Sequence, residues 1–210
     1  EASADYSFIF RDVLYLGIAF LVGVLLLLFS MIHISLRDRR RLLHQAQADS
    51  LTGLLNRTST SACIDTWLAV PNRQGALLML DLDNFKEVND VWGHQAGDSI
   101  LVLTAELLRA HFRQSDVIGR IGGDEFMVLM KDVSSRSVVE LHMRRLCEEF
   151  RLLTDPTYPQ ISVSCSVGAA MIPDQGRSFE ELYPHADSAL YCAKHHGKDG
   201  WSIFSGESSC

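Results

Sequence analysis

The sequence predicts an α+β domain, a mixed, mainly antiparallel central sheet flanked by helices, preceded by one transmembrane helix. Three features carry this prediction. A long apolar run without charges stands near the start of the chain, at residues 13–36. Predicted strands and helices then mix without strict alternation, which favours an α+β sheet over a doubly wound parallel one. Two strands form a hairpin, because Gly122-Gly123 separates two apolar runs and glycine permits the positive φ of tight turns.

Residues 13–36 are the predicted membrane span. They comprise 24 residues without Asp, Glu, Lys or Arg, which exceeds the roughly 20 needed to cross a bilayer core. The basic cluster at 37–41 follows the span and predicts that the C-terminal part lies in the cytoplasm. A cleaved signal peptide would be shorter, with its basic residues before the apolar run, and an apolar core helix would need a larger protein to bury it. Residues 1–12 are then an extracytoplasmic or upstream-linker segment, and residues 37–48 a cytoplasmic helical linker.

Residues 49–206 are predicted to form the folded domain. The run at 76–83 is apolar throughout and ends in acids, which is typical of a buried central strand. Further strands are expected at 116–121 and 126–130, within 161–171, and at 201–204. Helices are expected in a segment ending near Val70 and at 84–92, 99–112, 134–153 and 178–196, with a turn at 93–98.

The composition of this part of the chain disfavours one class of partner. Residues 45–210 carry 14 basic and 22 acidic side chains, a net charge of −8. A nucleic-acid-binding surface normally has a basic footprint, so no nucleic-acid partner is expected. The five cysteines are scattered without a C-x-x-C pair, which predicts reduced and mostly buried thiols.

Acidic side chains end the predicted central strand and occupy the tip of the predicted hairpin. Alternation along a strand places Asp81 and Asp83 on one face and Leu82 on the other. Burying such carboxylates is costly unless they are paired or bind a metal. Helix capping would explain Asp83 but not Asp81. Asp124 and Glu125, on a hairpin that can pair beside this strand, complete a set of oxygen ligands that suits Mg²⁺ and nucleotidyl transfer.

Five motifs in order carry a resemblance to a known family. They are D-S-L-T-G-L-L-N-R (49–57), D-L-D-N-F-K-E-V-N-D (81–90), G-H-Q-A-G-D (93–98), G-G-D-E-F (122–126) and A-L-Y-C-A-K-H-H-G-K (189–198). Residues 49–205 thereby resemble a GGDEF-domain diguanylate cyclase. The resemblance implies a fold like the palm of nucleotidyl polymerases and class III nucleotide cyclases. It also implies that two GTP molecules condense into cyclic di-GMP and two pyrophosphates, in a homodimer with one GTP per domain.

The resemblance implies a catalytic centre that uses two Mg²⁺ ions per GTP, with Mn²⁺ as a substitute. Asp81 and Asp124 match metal-ligand positions, and the main-chain carbonyl of Leu82 lies beside them. Glu125 matches the second acid of the motif. It is either a further metal ligand or the group that helps to deprotonate the attacking 3′-hydroxyl, and these two roles stay open. Asp124 and Glu125 are therefore the expected catalytic residues.

Two pairs of residues match positions that bind the base and the phosphates. Asn89 and Asp98 match the guanine-reading positions, and adenine would leave their polar groups unpaired. The alternative is helix capping, at the C-terminus for Asn89 and at the N-terminus for Asp98. Lys194 and Lys198 match a phosphate-binding basic pair, and at a spacing of four they would share a helix face. The alternative for both lysines is cation placement at a helix C-terminus.

The remaining matched substrate-binding positions surround the predicted strand and hairpin. Backbone N–H groups at a helix start suit phosphate, and glycine lets the backbone approach a nucleotide. These positions are Asn84, Phe85, Lys86, His94, Gly122 and Gly123.

Residues 113–116 match the family's R-x-x-D inhibitory site, at which product binds. Arg113 offers a planar fork to guanine or phosphate, and Asp116 accepts from guanine N–H groups. Arg144, or its neighbour Arg145, is expected to supply a second arm from the partner domain.

The sequence therefore predicts a diguanylate cyclase in the cell inner membrane, single-pass in this chain, with its catalytic domain in the cytoplasm. GTP is the expected substrate, and cyclic di-GMP the product and inhibitor. The main alternative is an inactive domain that serves as a receptor for cyclic di-GMP or GTP. Two further alternatives are a related nucleotidyl-transferring enzyme, which the acidic surface disfavours, and a membrane anchor that recruits partners. Because the chain starts without Met, we expect it to be a fragment or a processed product, and a sensory region upstream of it is a hypothesis.

Overall fold

The computed structural model describes residues 11, 14–18, 21–31, 47–154 and 163–206, in two units that meet between Ala46 and Gln47. In the first unit, helix α1 spans Leu14–Met31, has a mean hydropathy of 2.5, and is not buried inside the protein. It is therefore not a core helix, and it is long and apolar enough to cross a membrane, a test that a signal sequence also passes. The membrane anchor stays a prediction. Most of the predicted linker at 37–48 lies outside the described residues.

The second unit is the predicted α+β domain. Its five strands are ordered β2-β3-β1-β4-β5, and every neighbouring pair is antiparallel except the parallel pair β4 and β5. The sheet is thus mixed and mainly antiparallel, as predicted. The elements of this unit are α2 (Arg57–Leu68), β1 (Gly75–Asp83), α3 (Phe85–Trp92), α4 (His94–His111), β2 (Val117–Arg120), β3 (Glu125–Lys131), α5 (Arg136–Thr154), β4 (Ser164–Ile172), α6 (Phe179–His195) and β5 (Trp201–Ile203).

The central strand β1 divides the core into two layers. Leu78, Leu80 and Leu82 pack with α4 and α5 in one hydrophobic cluster. Leu77 and Met79 pack with α2 and α6 in the other. Because alternate residues face opposite sides of a strand, the carboxylates at positions 81 and 83 both leave the sheet on the α2 and α6 side. The predicted face for these acids is therefore confirmed.

The turn predicted at 93–98 is a single residue. Gly93 adopts a φ of +82° and donates its N–H to the carbonyl of Asn89, which ends α3, and α4 begins at His94. One glycine in the left-handed region is enough to break the helix, so the residues after it are helical. Asp98 is therefore not an N-cap, and Asn89 lies inside α3 rather than at its C-cap.

The predicted hairpin is confirmed, but its glycines have a different role. β2 pairs with β3 from Val117 opposite Leu129 to Arg120 opposite Phe126. The glycines with positive φ do not include Gly122 or Gly123, because the connection over residues 121–124 is wider than a two-residue turn. A Cβ at Gly122 would lie 2.5 Å from Oε2 of Glu125. Gly122 therefore makes room for the neighbouring acid.

The thiols follow the sequence expectation only in part. Cys147 and Cys165 are free and buried, whereas Cys63 is free and exposed. The expectation of buried thiols therefore holds for Cys147 and Cys165 but not for Cys63.

Candidate active site

The predicted acidic residues meet at one end of β1 and β3. Asp81 lies opposite Glu125 in the antiparallel register, and the N–H of Leu82 donates to the carbonyl of Asp124 at 3.3 Å. Asp81 is only 9 % exposed. Burial raises the pKa of Asp81, and the negative charges of Asp124 and Glu125 raise it further. The pairing of β1 with β3 thus concentrates negative charge at this edge of the sheet.

Lys194, in the last turn of α6, supplies the counter-charge. Its Nζ lies 2.8 Å from Oδ1 of Asp81, and this contact acts against burial to lower the pKa of Asp81. The ammonium group therefore contacts a carboxylate on the sheet. Cation placement at the helix C-terminus does not explain that contact, and the structure brings Lys194 to the predicted acidic residues.

Lys198 reaches the site by a different route from the one predicted. α6 ends at His195, and Lys198 lies beyond it with a φ of +63°, so the two lysines do not share a helix face. The Nζ of Lys198 donates to Oδ1 of Asn84 at 2.8 Å. Asn84 is the N-cap of α3, also with positive φ, and its side chain makes no capping bond to the first-turn N–H groups. A cation therefore lies beside the start of α3, where Phe85 and Lys86 stand, an arrangement that suits phosphate.

Asp83 joins this part of the site to the strand end. It is 3 % exposed, and its carboxylate accepts from the hydroxyls of Ser164 at 2.8 Å and Ser166 at 2.9 Å and from the N–H of Asp199 at 3.1 Å. The helix-capping alternative for Asp83 is therefore wrong. Its carboxylate fixes the segment that carries Lys198 against β1 and β4. Sequence reasoning missed this role, although serines alternating on one strand opposite alternating acids were a usable signal.

A second link fixes the tip of the hairpin. Arg120 donates to the carbonyl of Gly123 from Nη2 at 2.7 Å and from Nε at 3.2 Å, and from Nη1 to Oδ1 of Asp49 at 3.0 Å. Asp49 also accepts from the N–H and hydroxyl of Thr52. Burial acts to raise the pKa of Asp49, but the Thr52 bonds and the Arg120 charge outweigh burial and lower that pKa. No role was predicted for Arg120 or Asp49, although both stand at motif boundaries.

The predicted guanine-reading residues lie where α3 packs on α4. A Cβ at Gly97 would lie 2.2 Å from Oδ1 of Asn89. The Asn89 amide therefore packs directly on the first turn of α4, just before Asp98. The Nδ2 of Asn89 donates to the carbonyl of Phe85 at 3.3 Å. Asp98 lines an open groove of about 380 Å³ together with Leu51, Ser99, Val102, Leu103 and Glu106. His94 is exposed at the start of α4.

The predicted inhibitory residues occupy the connection from α4 to β2. The carboxylate of Asp116 accepts from the N–H of Arg113 and the N–H of Lys131, each at 3.0 Å. These bonds hold the connection rigidly and leave the Arg113 side chain exposed. Arg144 lies on α5 in a separate groove beside Trp201. Arg145, also on α5, lies close enough to His142 for its positive charge, like that of Arg113, to lower the pKa of His142.

The acidic edge has the donor chemistry of a magnesium site. Mg²⁺ prefers carboxylate and carbonyl oxygens, which Asp81, Asp124, Glu125 and the Leu82 carbonyl provide. Like charges in one place raise the pKa of Asp81, and a divalent cation would relieve that repulsion. Within the described residues, however, no group of three or more His, Cys, Asp or Glu side chains surrounds one point. The ammonium of Lys194 contacts Asp81 instead.

Comparison with known proteins assigns this domain to a family. Residues 46–200 match the family described as diguanylate cyclase, GGDEF domain. The diguanylate cyclase DgcS of Shewanella oneidensis is 39% identical over 165 residues, which cover 76% of this chain and 53% of DgcS. The cyclic di-GMP phosphodiesterase PdeR of Escherichia coli is 36% identical over 172 residues, which cover 81% of this chain and 26% of PdeR.

Solved structures agree with this assignment. The GGDEF domain of DgcB from Caulobacter crescentus, in complex with c-di-GMP, superposes with a TM-score of 0.65 at 26% identity, covering 75% of this chain and 95% of that one. The chain spans only about a quarter to a half of the length of the curated relatives it matches. The matched region contains the acidic edge, the hairpin and both lysines. The chain therefore belongs to the GGDEF-domain family of diguanylate cyclases.

Proposed function

We propose that this chain is a diguanylate cyclase that condenses two GTP molecules into cyclic di-GMP and two pyrophosphates with Mg²⁺. The observation that carries the proposal is the pairing of Asp81 with Glu125 across β1 and β3, next to Asp124. Membership of the family and the similarity to DgcS support it.

Substrate binding divides between two parts of the site. Lys198 and the first-turn N–H groups of α3 bind the phosphates, because a cation and a helix start both attract anions. Asn89 and Asp98 select guanine, since a carboxylate accepts from its N–H groups and an amide serves donors and acceptors alike. Adenine would leave these groups unpaired and is rejected for that reason.

The acidic edge performs the transfer. Mg²⁺ ions, two per GTP, held by Asp81, Asp124 and the Leu82 carbonyl would lower the pKa of the attacking 3′-hydroxyl and neutralise charge on the phosphates. Glu125 is either a further ligand or the acceptor of the hydroxyl proton. The 3′-oxygen forms a bond to the α-phosphorus of the other nucleotide, and the bond to pyrophosphate breaks. With a metal ion held at Asp81, the Lys194 ammonium would lose this carboxylate as a partner and would contact a phosphate instead.

The reaction requires a homodimer. Each domain has one such acidic edge and binds one GTP, so the attacking hydroxyl and the attacked phosphate belong to two copies of the chain. The R-x-x-D residues Arg113 and Asp116, with an arginine of α5, bind the product and hold the two domains apart from the productive arrangement.

The test uses the whole chain, purified in detergent, with GTP and Mg²⁺. We expect cyclic di-GMP, identified by chromatography. Asp124→Asn should lower the rate by at least about 100-fold, because it removes a metal ligand, while circular dichroism stays unchanged. Asp132→Asn is the matched control, since that carboxylate is 72% exposed at the other end of β3. A chain that is folded and dimeric but makes no product at any concentration would overturn the proposal.

A receptor without turnover is the second candidate. The contact between Lys194 and Asp81 favours it, because the carboxylate that should hold metal is already paired. Binding of cyclic di-GMP by a chain that releases no product from GTP and Mg²⁺ would establish this candidate in place of the cyclase.

A further inference from the structure

Three side chains form a hydrogen-bonded row where α4 packs on α5. Oε2 of Glu149 lies 2.9 Å from Nδ1 of His111, and Nε2 of His111 lies 3.2 Å from Nδ1 of His142. The His111 side chain is only 5% exposed. Its ring packs edge-on against Phe112 and His142, with centroids 4.9 and 5.2 Å away. The proposed reaction uses none of these residues.

The order of hydrogen bonds fixes where the protons lie. An ionised carboxylate only accepts, so Nδ1 of His111 carries a hydrogen, and in the neutral ring its Nε2 holds a lone pair. His142 must then donate from Nδ1, which leaves its own Nε2 as a proton acceptor. A proton taken up at this Nε2 makes an imidazolium whose charge is stabilised by Glu149 through His111. His142 is therefore the base of this row, and the Glu149 carboxylate supplies the negative charge that stabilises its protonated form.

The charges of the R-x-x-D residues act on His142, which forms the outer end of this row. Burial lowers the pKa of His142. The positive charges of Arg113 and Arg145, and that of His111 when its ring is protonated, lower it further, while Asp116 raises it. The ring of Phe112, directly before Arg113, stacks on His142 at 6.0 Å. His142 is thus neutral at neutral pH in the free protein, among cations that belong to the proposed product site.

We propose that His142 is a further residue of the product-binding site, which takes up a proton when an anionic cyclic dinucleotide binds at Arg113. The inference rests on the inhibitory site included in the proposed function. Phosphodiester groups stay ionised between about pH 5 and 8, so the protein titrates and the ligand does not. A bound anion offsets the positive charges that disfavour the imidazolium, which raises the pKa of His142.

The sign of the pH dependence follows from linkage. A group whose pKa is higher in the complex than in the free protein gains a proton on binding. Affinity therefore rises as the pH falls from the pKa of the complex to that of the free protein. Below the pKa of the free protein, the group is protonated in the free protein and in the complex alike, and affinity rises no further. Product inhibition therefore becomes stronger at mildly acidic pH.

The experiment is calorimetric titration of the whole chain in detergent with cyclic di-GMP, at about pH 5.5 and about pH 8. Wild type should bind roughly tenfold tighter at the lower pH, which corresponds to a pKa rise of about one unit on binding. His142→Gln should match wild type near pH 8 and lose the gain. Glu149→Gln, which keeps a hydrogen-bonding oxygen without the charge, should show a reduced gain. His195→Gln, on α6 beside Tyr191, is the control and should keep the full gain.

The outcomes separate this inference from the proposed function. If Arg113→Ala binds cyclic di-GMP as wild type does, or wild type does not bind it, the inhibitory site is wrong and this inference falls with it. If Arg113→Ala abolishes binding but His142→Gln keeps the pH dependence, or wild type has none, the role of His142 alone is refuted. Loss of the gain in His142→Gln, with the gain intact in His195→Gln, supports it.

Discussion

Arg120 connects the segment after residue 46 to the tip of the β2–β3 hairpin. Its side chain is 13% exposed, and its guanidinium donates to two acceptors at once, the Gly123 carbonyl and the Asp49 carboxylate. Lysine has a single ammonium group instead of the planar, multi-donor guanidinium, so it cannot reach the Gly123 carbonyl and the Asp49 carboxylate together. Arg120→Lys should therefore lower the free energy of unfolding by about 1–3 kcal/mol. It should also lower the cyclase rate, because the carbonyl beside Asp124 is no longer held.

Arg151→Lys provides the matched control for this change. Arg151 pairs with Asp199 at 2.7 Å, but the two side chains are 47% and 30% exposed. Surface ion pairs contribute only about 0–1 kcal/mol. Urea unfolding of both variants, followed by tryptophan fluorescence, measures the difference. Equal losses in Arg120→Lys and Arg151→Lys would show that the fork at the hairpin tip has no special role.

At the residue scale, the sequence predicted the acids better than their partners. Strand alternation is a local rule, and it placed Asp81 and Asp83 on the same face correctly. Lys194 and Lys198 were predicted from one helical spacing. Only the structure shows that α6 ends between them, because residues with positive φ follow His195. Arg120 was missed because its partners, Gly123 and the distant Asp49, come together only through the tertiary fold.

At the scale of elements, the packing of α3 on α4 determines the position of the Asn89 amide, which we propose reads guanine. Gly97 lies inside α4, where alanine would normally stabilise a helix by about 1 kcal/mol. A Cβ there would, however, lie 2.2 Å from Oδ1 of Asn89. Gly97→Ala should therefore raise the KM for GTP by roughly tenfold, equivalent to about 1.4 kcal/mol of lost binding, with kcat changed less.

A double-mutant cycle identifies the cause. If the new methyl group acts by displacing the amide, Gly97→Ala should have no further effect on KM in an Asn89→Ala background. Steady-state kinetics of the four proteins give the coupling. Additive effects of the two substitutions would place the influence of Gly97 elsewhere.

The order of elements was largely predictable, whereas their ends were not. The apolar run of β1, the hairpin and the amphipathic α5 follow from periodicity, and each lies within a few residues of its expected position. The prediction of a turn over residues 93–98 was wrong because Gly93 alone breaks the helix, and the polar residues after it belong to α4. The hairpin prediction succeeded for an incomplete reason, since Gly122 gives room to Glu125 rather than adopting positive φ.

At the scale of the whole molecule, the open prediction is the side of the membrane on which the domain lies. α1 is apolar, long enough to span a bilayer and not buried within the protein, and residues 37–41 carry four arginines directly after the predicted span. The positive-inside rule then places the domain in the cytoplasm, where GTP is available. We expect the chain expressed in Escherichia coli to sediment with membranes and to resist extraction with alkaline carbonate.

Cys63 reports the orientation, because its thiol is free and exposed on α2, whereas Cys147 and Cys165 are buried. A membrane-impermeant maleimide should label it only after the inner membrane of spheroplasts is permeabilised. Cys63→Ser removes the reporter and corrects for labelling at other thiols. Labelling of Cys63 in intact spheroplasts would place the domain outside the cytoplasm and separate it from GTP. Recovery of the chain in the soluble fraction would instead show that α1 is not a membrane anchor. The two copies of the chain would then have to associate without the two-dimensional confinement that a membrane provides.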